Sequence, residues 1–283
     1  MRKINDKTLR DLEFDILKDV ASFCEDNKLR YYLCGGTLLG CVRHGGFIPW
    51  DDDIDIIMPR PDYIKFMKSY NLRKSNYRVN SLFTNPNWDS TFAEVEDIRT
   101  LKIYNGFKQE QQRGVNIDVF PTDGSPNKRY NRKIFWIVNN LISRFGVLAQ
   151  MKFTKSKHFA DQDTSFNIFR TGIRTGLKFF AIPLARVAKL FINFNWAVTK
   201  RAMKYDVDKS EYIGVSTFPH YGYGECVKGS SFLKITKRPF EGILFSTPDN
   251  YDEYLSNLYG DYMKMPPKEK QVTHHDFVAY WKE

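Results

Sequence analysis

The most restrictive feature of this 283-residue chain is a pair of alternating carboxylates. Asp53 and Asp55 lie two residues apart in the run Asp-Ile-Asp-Ile-Ile-Met, and the β-branched residues around them predict a strand. Because side chains two apart in a strand project from the same face, the two carboxylates lie close together. Such charges repel unless a proton or cation lies between them, and a divalent metal with oxygen ligands is the usual solution. The pattern therefore predicts a metal site.

Two adjacent glycines precede these carboxylates. Gly35 and Gly36 follow a predicted strand at 31–34 and precede a predicted helix at 37–42. Glycine lets backbone N–H groups approach a phosphate closely, and the positive end of a helix dipole favours the anion. A double glycine alone is equally typical of a plain turn. The carboxylate pair that follows makes phosphate binding by the backbone of Gly35, Gly36 and Thr37 the more specific interpretation.

A third carboxylate lies in another predicted strand, 115–120. Asp118 is the only charge in the run Val-Asn-Ile-Asp-Val-Phe, which is predicted to end at Pro121 before a turn at 122–124. A lone buried carboxylate is costly unless it is paired, so we expect Asp118 to face the same cation as the first two. The alternative is an aspartate that caps the following turn. Asp51 and Asp52 are interpreted as solvated turn residues.

These motifs together resemble the LicD family of phosphocholine and related phospho-substituent transferases, which have a nucleotidyltransferase fold. The resemblance covers 1–127 and about 211–276. It implies an α/β (α+β) protein with a nucleotidyltransferase-like mixed sheet core, formed by 1–127 and 205–283, and a basic helical insertion at 128–204. The motifs that carry it are Gly35-Gly-Thr-Leu-Leu-Gly40, Arg43-His-Gly45, Ile48-Pro-Trp-Asp-Asp-Asp-Ile-Asp55, Asn116-Ile-Asp-Val-Phe-Pro121 and Tyr259-Gly-Asp-Tyr-Met263.

The resemblance also implies an activity, a Mg²⁺-dependent phosphotransfer with Mn²⁺ as the alternative metal. The expected donor is CDP-choline or another CDP-alcohol such as CDP-ribitol. The expected acceptor is a sugar hydroxyl of a lipid-linked cell-surface glycan precursor, such as teichoic acid or lipopolysaccharide. Asp53, Asp55 and Asp118 are the expected metal ligands and catalytic residues. The residues expected to bind substrate are Gly35, Gly36, Thr37, Arg43 and His44.

The sequence is also compatible with two other functions. A nucleotidyltransferase would use the same metal site to move NMP from NTP and release pyrophosphate. A non-catalytic adaptor at a membrane surface would use only the basic insertion, but it would have no reason to keep three clustered carboxylates with their desolvation cost.

The charge of the chain is concentrated in the insertion. Residues 128–204 contain sixteen Lys or Arg and two acids, a net charge of +14, so the remainder carries −4 of the overall +10. Apolar residues at helical spacing accompany these charges, at 134–142 and in a stripe that includes Ile173, Leu177, Phe180, Leu184, Val187, Phe191, Phe194 and Val198. A basic amphipathic helix suits an anionic membrane surface. The alternative is that the stripe packs on the core.

Nucleic acid is not an expected partner, because no recognised binding motif accompanies the basic charge. Four cysteines without C-x-x-C spacing indicate reduced thiols. The charged N-terminus lacks a signal-peptide core, and no uncharged apolar run reaches membrane-spanning length. We therefore expect a cytoplasmic protein at the inner face of the membrane. A first helix with Thr8 and Asp11 as a capping box is expected to pack on the sheet, and His274 and His275 are interpreted as polar chain rather than metal ligands.

Overall fold

The computed structural model of the protein describes residues 1–104, 113–150, 181–218, 220–273 and 277–282. The strands are β1 (Arg2–Lys3), β2 (Tyr32–Leu33), β3 (Asp55–Pro59), β4 (Tyr77–Asn80), β5 (Ala93–Tyr104), β6 (Arg113–Gly124), β7 (Tyr212–Gly214), β8 (Val227–Lys228), β9 (Ile235–Phe240), β10 (Ile243–Pro248) and β11 (Phe277–Trp281). The helices are α1 (Asp6–Asp26), α2 (Gly35–His44), α3 (Arg60–Ser69), α4 (Arg129–Gln150), α5 (181–189), α6 (Phe194–Ala202), α7 (Gly229–Phe232) and α8 (Tyr251–Tyr259).

A mixed sheet forms the centre of the molecule. Within the described ranges it has nine strands in the order β1-β11-β5-β6-β3-β2, with β4 added to β5, β7 to β6 and β8 to β7. Strands β3 and β6 are parallel, whereas β5 runs antiparallel to β6. Strands β9 and β10 form a separate hairpin. The predicted mixed α/β class is confirmed.

Helix α1 packs against β5 and β6 through the apolar positions that the helical periodicity predicted. Its predicted start was wrong, because Asn5 is the N-cap and Thr8 lies inside the helix. The side-chain oxygen Oδ1 of Asn5 accepts a hydrogen bond from the backbone N–H of Thr8 at 2.8 Å. This bond satisfies one of the first-turn N–H groups that lack a helical partner.

Strand β6 alternates between an apolar face and a polar face. Val115, Ile117 and Val119 are fully buried in the core, and Asn116 and Asp118 point to the other side of the sheet. In the parallel register Asp55 of β3 is the partner of Asp118. The sheet thus brings carboxylates from two strands to one face at the same level.

Strand β6 continues through Pro121 to Gly124, so the predicted turn at 122–124 is wrong. The backbone N–H of Asp118 donates toward β3, and by alternation the ring nitrogen of Pro121 faces the opposite side. On that side the pairing with β5 stops at Val119, which lies opposite Ala93, the first residue of β5. Pairing with β7 starts at Asp123. The missing N–H of proline therefore costs no ladder hydrogen bond.

This extension of β6 buries an ion pair. The carboxylate of Asp123, fully buried, accepts hydrogen bonds from Nε and Nη2 of the buried Arg60 at 2.8 and 2.5 Å. We expect Arg60→Ala to lower the free energy of unfolding by about 3–5 kcal/mol, because it leaves a buried carboxylate without a partner. Urea denaturation followed by circular dichroism measures this loss.

The matched control for this pair is Lys18→Ala, which removes the exposed ion pair with Asp15 and should cost about 0–1 kcal/mol. The double variant Arg60→Met with Asp123→Leu should recover most of the loss, because it removes both charges together. A loss for Arg60→Ala no larger than that of the Lys18 control would contradict the prediction.

The β9–β10 hairpin holds the segment between α2 and β3. Its two-residue turn has positive φ at Glu241 (49°) and Gly242 (79°), as a tight hairpin turn requires. Oε1 of Glu241 accepts a hydrogen bond from the N–H of Phe47 at 3.0 Å. A Cβ on Gly46 would lie 2.0 Å from the same oxygen, so a side chain at position 46 would displace the Glu241 carboxylate.

The described part of residues 128–204, the predicted insertion, contains α4, α5 and α6 and carries apolar side chains on its surface. On α4 the aromatic residues Phe135 and Trp136 are buried beside Cys226, so the expectation that they face a membrane was wrong. The helical period defines stripes, but the packing partner decides which stripe is covered. Exposed large apolar residues of this region are Ile134, Ile137, Leu141, Leu184, Val187, Leu190 and Phe191.

Among the other members of the predicted stripe, one is buried and three lie outside the described residues. Val198 is buried in α6, and Ile173, Leu177 and Phe180 lie outside the described residues, as do His274 and His275. Among the helices that the structure describes, none is both long enough and apolar enough to cross a membrane.

Candidate active site

Hydrogen bonds join the start of β3 to the start of α2 beside Asp55. The backbone N–H of Asp55 donates to Oγ1 of Thr37 at 2.8 Å, and the N–H of Cys34 donates to the carbonyl oxygen of Asp55 at 3.2 Å. Gly35 has φ +53°, and a Cβ there would lie 3.1 Å from Oδ2 of Asp55. This close approach requires glycine at position 35. The Thr37 hydroxyl therefore positions the strand, which sequence reasoning did not assign to it.

The carboxylates of the site raise one another's pKa. Burial, followed by the charges of Asp53 and Asp118, raises the pKa of Asp55 well above its ordinary value. Burial and the charge of Glu94 raise the pKa of Asp118 to about 8, while Lys102 acts in the opposite direction. Glu94 is the cross-strand partner of Asp118 in β5. These carboxylates carry a free-energy cost that a bound cation would remove.

The donor set suits a hard cation, although the side chains are not gathered around a point. In the described part of the chain, no group of three or more His, Cys, Asp or Glu side chains is arranged to hold a metal ion. Asp118 Oδ1 instead accepts a hydrogen bond from Nδ2 of Asn116 at 2.8 Å. The other amide atom, Oδ1 of Asn116, is buried without a partner within the described ranges. Carboxylate and amide oxygens are the ligands that Mg²⁺ takes in proteins.

The first turn of α2 faces another carboxylate. A Cβ on Gly36 would lie 2.6 Å from Oδ2 of Asp51, so Asp51 is half-buried against the helix start rather than a solvated turn residue. The N-terminus of a helix attracts anions through its unpaired N–H groups and its dipole. Asp51 thus lies where the sequence predicted a phosphate, and Asp51 also raises the pKa of Asp55.

Arg43 and His44 occupy the last turn of the same helix. Along the axis Arg43 lies about 10 Å from Gly36, at 1.5 Å per residue. Its Nη1 donates to the carbonyl oxygen of Tyr262 at 2.8 Å, and burial lowers its pKa, which the nearby Tyr259 opposes. His44 meets Trp50 edge-on at 6.2 Å. The structure therefore brings Arg43 toward Tyr262 and Tyr259, and His44 stays beside it, because its Nδ1 accepts a hydrogen bond from Nε of Arg43 at 3.5 Å.

Three residues from the C-terminal part join the site, and sequence reasoning gave them no role. The hydroxyl of Tyr259 lies 4.0 Å from the Cβ position of Gly35 and 3.0 Å from the hydroxyl of Tyr221. The buried carboxyl of Glu225 raises the pKa of Asp55. The motif Tyr259-Gly-Asp-Tyr-Met263 contains Tyr259. The segment Gly222-Tyr-Gly-Glu-Cys226 contains Glu225 and follows Tyr221 directly.

Known proteins resemble this chain in the same region. Residues 28–159 match the family model described as LicD/FKTN/FKRP, nucleotidyltransferase domain. The lipopolysaccharide cholinephosphotransferase LicD of Haemophilus influenzae is 29% identical over 286 residues, which covers 96% of this chain and 98% of that protein. The ribitol 5-phosphate transferases FKRP of mouse and human are each 51% identical over 37 residues, 13% of this chain and 8% of theirs.

Proposed function

We propose that this chain is a transferase of the LicD type that moves phosphocholine from CDP-choline to a sugar hydroxyl of a cell-surface glycan. The observation that carries the proposal is the placement of Asp55 and Asp118 at one level of two parallel strands, beside the glycine start of α2. Phosphoryl transfer is largely a matter of positioning and of neutralising charge. The helix N-terminus would position the phosphates, and a cation held by the carboxylates would neutralise their charge.

The backbone of the first turn of α2 is the proposed diphosphate site. Gly35 and Gly36 leave room for phosphate oxygens, and the N–H groups of Gly36 and Thr37 point toward the helix N-terminus. The carboxylate of Asp51 would have to move aside for the donor, because it lies against Gly36. Arg43, directed toward Tyr259, would contact phosphate oxygens as CMP departs.

Asp53, Asp55 and Asp118 are the proposed ligands of Mg²⁺, or of Mn²⁺, with the Asn116 amide oxygen beside them. When bound, the metal would neutralise charge on the diphosphate. The acceptor hydroxyl oxygen attacks the phosphorus that bears choline, the bond from that phosphorus to the bridging oxygen breaks, and CMP leaves. Asp118 is the proposed acceptor of the hydroxyl proton, and a bound cation would keep its carboxylate ionised for this role.

Product analysis tests this function directly. With CDP-choline labelled in the choline and a glycan acceptor, the expected products are CMP and a choline phosphodiester. A nucleotidyltransferase would instead release pyrophosphate from labelled CTP. Turnover of CDP-ribitol and not CDP-choline would favour the second candidate donor, which the short similarity to the ribitol 5-phosphate transferases supports. If the protein turns over no CDP-alcohol and no NTP, both enzymatic functions are contradicted and the non-catalytic adaptor is the remaining function.

The acceptor is proposed to be lipid-linked, and the enzyme to lie at the cytoplasmic face of the membrane. The support is the coexistence of exposed apolar side chains such as Ile137, Leu184 and Phe191 with the exposed basic residues Lys133 and Arg144. Apolar burial and electrostatic attraction together bind a protein to anionic lipid. A lipid-linked precursor of teichoic acid or lipopolysaccharide would be confined to the same surface.

Vesicle binding tests this placement. Wild-type protein should co-sediment with vesicles that contain anionic lipid, and binding should fall as salt is raised, because surface charges are screened within about 10 Å at 0.1 M. Replacing Leu184, Leu190 and Phe191 with serine should release the protein and preserve turnover of a soluble acceptor, because all three side chains are exposed. Binding that is independent of both salt and these changes would contradict the prediction.

A further inference from the structure

A series of aromatic rings borders the candidate site from one carboxylate to the other. Phe120 follows Asp118 by two residues on the same face of β6, and its ring stacks with Phe218 at 6.0 Å. The contacts continue from Phe218 to His220 at 6.5 Å and from His220 to Tyr221 at 4.7 Å. The series therefore begins beside Asp118 and leads toward α2.

Tyr221 completes the series with Tyr259. Their rings meet edge to face at 5.3 Å and 75°, and their hydroxyls lie 3.0 Å apart. The Tyr259 hydroxyl also lies close to Gly35 and thus to Asp55. Because Tyr221 is 38% exposed, part of its ring surface is available to a ligand. Aromatic rings with an accessible face attract cations through their quadrupole.

Glu225 lies in the same neighbourhood, because it ends the helical turn Gly222–Glu225, which follows Tyr221 directly and packs against α8, the helix that carries Tyr259. Its residue is only 7% exposed, and its charge acts on Asp55, Tyr221 and Tyr254. Burial raises the pKa of Glu225 to about 8 with no basic residue opposing it, and among the described residues its carboxyl has neither a hydrogen bond nor an ion pair. A buried carboxyl without a cationic partner is costly, and a ligand that brings a positive charge would relieve the cost.

We propose that Tyr221, Tyr259 and Glu225 form the site for a quaternary ammonium group, which on the proposed function is the choline headgroup of the donor. A trimethylammonium cannot donate hydrogen bonds, so it is recognised by aromatic faces and a nearby negative charge. The rings of the two tyrosines supply the faces and Glu225 the charge. The phosphate that carries the headgroup would then lie between this site and the N-terminus of α2.

The test compares two donors of the same shape and different charge. CDP-choline carries a cation, and the CDP ester of 3,3-dimethylbutanol is its neutral isostere. Wild-type enzyme should prefer CDP-choline by about 30-fold in kcat/KM, the magnitude of a desolvated cation–aromatic contact. Glu225→Gln should reduce this preference below about fivefold and leave turnover of the neutral donor within about threefold. Calorimetry should show the same pattern in binding, with a higher dissociation constant for CDP-choline and a nearly unchanged one for the neutral donor.

The tyrosine variants separate ring from hydroxyl. Tyr221→Phe keeps the aromatic face and should retain most of the preference, whereas Tyr221→Leu should lose it. Glu211→Gln, which neutralises an exposed carboxylate on a neighbouring segment, is the charge control and should match wild type. Because Tyr221 is partly exposed, neither tyrosine variant is expected to unfold the protein.

The outcomes distinguish this site from the proposed function. If wild type uses CDP-choline and Glu225→Gln lowers kcat equally for both donors, Glu225 acts at the reacting phosphorus and the headgroup assignment is overturned. Retention of the full preference in Glu225→Gln and Tyr221→Leu also overturns it and leaves phosphocholine transfer intact. If wild type uses other CDP-alcohols and rejects CDP-choline, the proposed function fails and the headgroup site fails with it.

Discussion

Asp53→Asn and Asp55→Asn are each expected to reduce turnover about a thousandfold or more. Each change removes a proposed metal ligand, and the charge that a metal stabilises in a phosphotransfer transition state is worth several kcal/mol. The fold should be retained or become more stable, because the amide has nearly the same shape and the charge of Asp53 contributes to the raised pKa of Asp55. Single-turnover assays with CDP-choline and urea denaturation measure the two effects.

The matched control is Asp52→Asn, a change in the same segment at a residue outside the proposed ligand set. It should leave turnover within about threefold. Activity within tenfold of wild type for both Asp53→Asn and Asp55→Asn would end the metal assignment. Raising Mg²⁺ should restore part of the loss if the variants bind the metal more weakly, whereas it should have no effect on variants that have lost only the fold.

Asp118→Asn is expected to lower kcat by about 10²–10⁴-fold with a smaller loss of donor affinity than the Asp55 variant shows. The amide cannot accept the hydroxyl proton, and removal of a general base affects the transition state more than the ground state. Separate measurement of kcat and of the donor dissociation constant checks this contrast. An aspartate that merely caps the strand would instead lower stability and leave the activity per folded molecule unchanged.

Stability in EDTA provides the second readout for Asp118. Because the folded protein raises this pKa to about 8, the native state retains a proton that the unfolded chain releases between about pH 4 and pH 8. The stability of metal-free wild type should therefore fall across this range as pH rises. The stability of metal-free Asp118→Asn should fall less over the same range. The variant should therefore be more stable than wild type at pH 8 and lose that advantage near pH 4.

The sequence allowed prediction of features whose causes are local. The alternation of Asp53 and Asp55 in a β-branched run requires a shared face in any strand, and the apolar spacing of α1 requires a buried stripe. The exact start of α1 did not follow, because Asn5 and Thr8 are both capping residue types and the periodicity does not choose between them. The continuation of β6 through Pro121 depends on neighbours that end or begin beside it.

The C-terminal contribution to the site lay beyond sequence reasoning for a similar reason. Glu225 and Tyr259 acquire their surroundings only when their turn and helix pack beside Gly35, far away in the sequence. Likewise the helical period marked Phe135 and Trp136 as apolar, and only the contact with Cys226 decides that they are covered. Tertiary contacts of this kind have no periodic signature.

The parallel pairing of β3 with β6 also bears on how the protein reaches its native state. The two strands are joined through a closed loop of about sixty residues, and the entropy of closing such a loop is lost before its contacts form. The hydrogen bonds of helices α1 and α2 join residues four apart, so forming these bonds closes no long loop. A chain that is already helical but has not yet aligned Asp55 with Asp118 has no candidate active site. Catalytic competence thus reports the completion of a non-local step in folding.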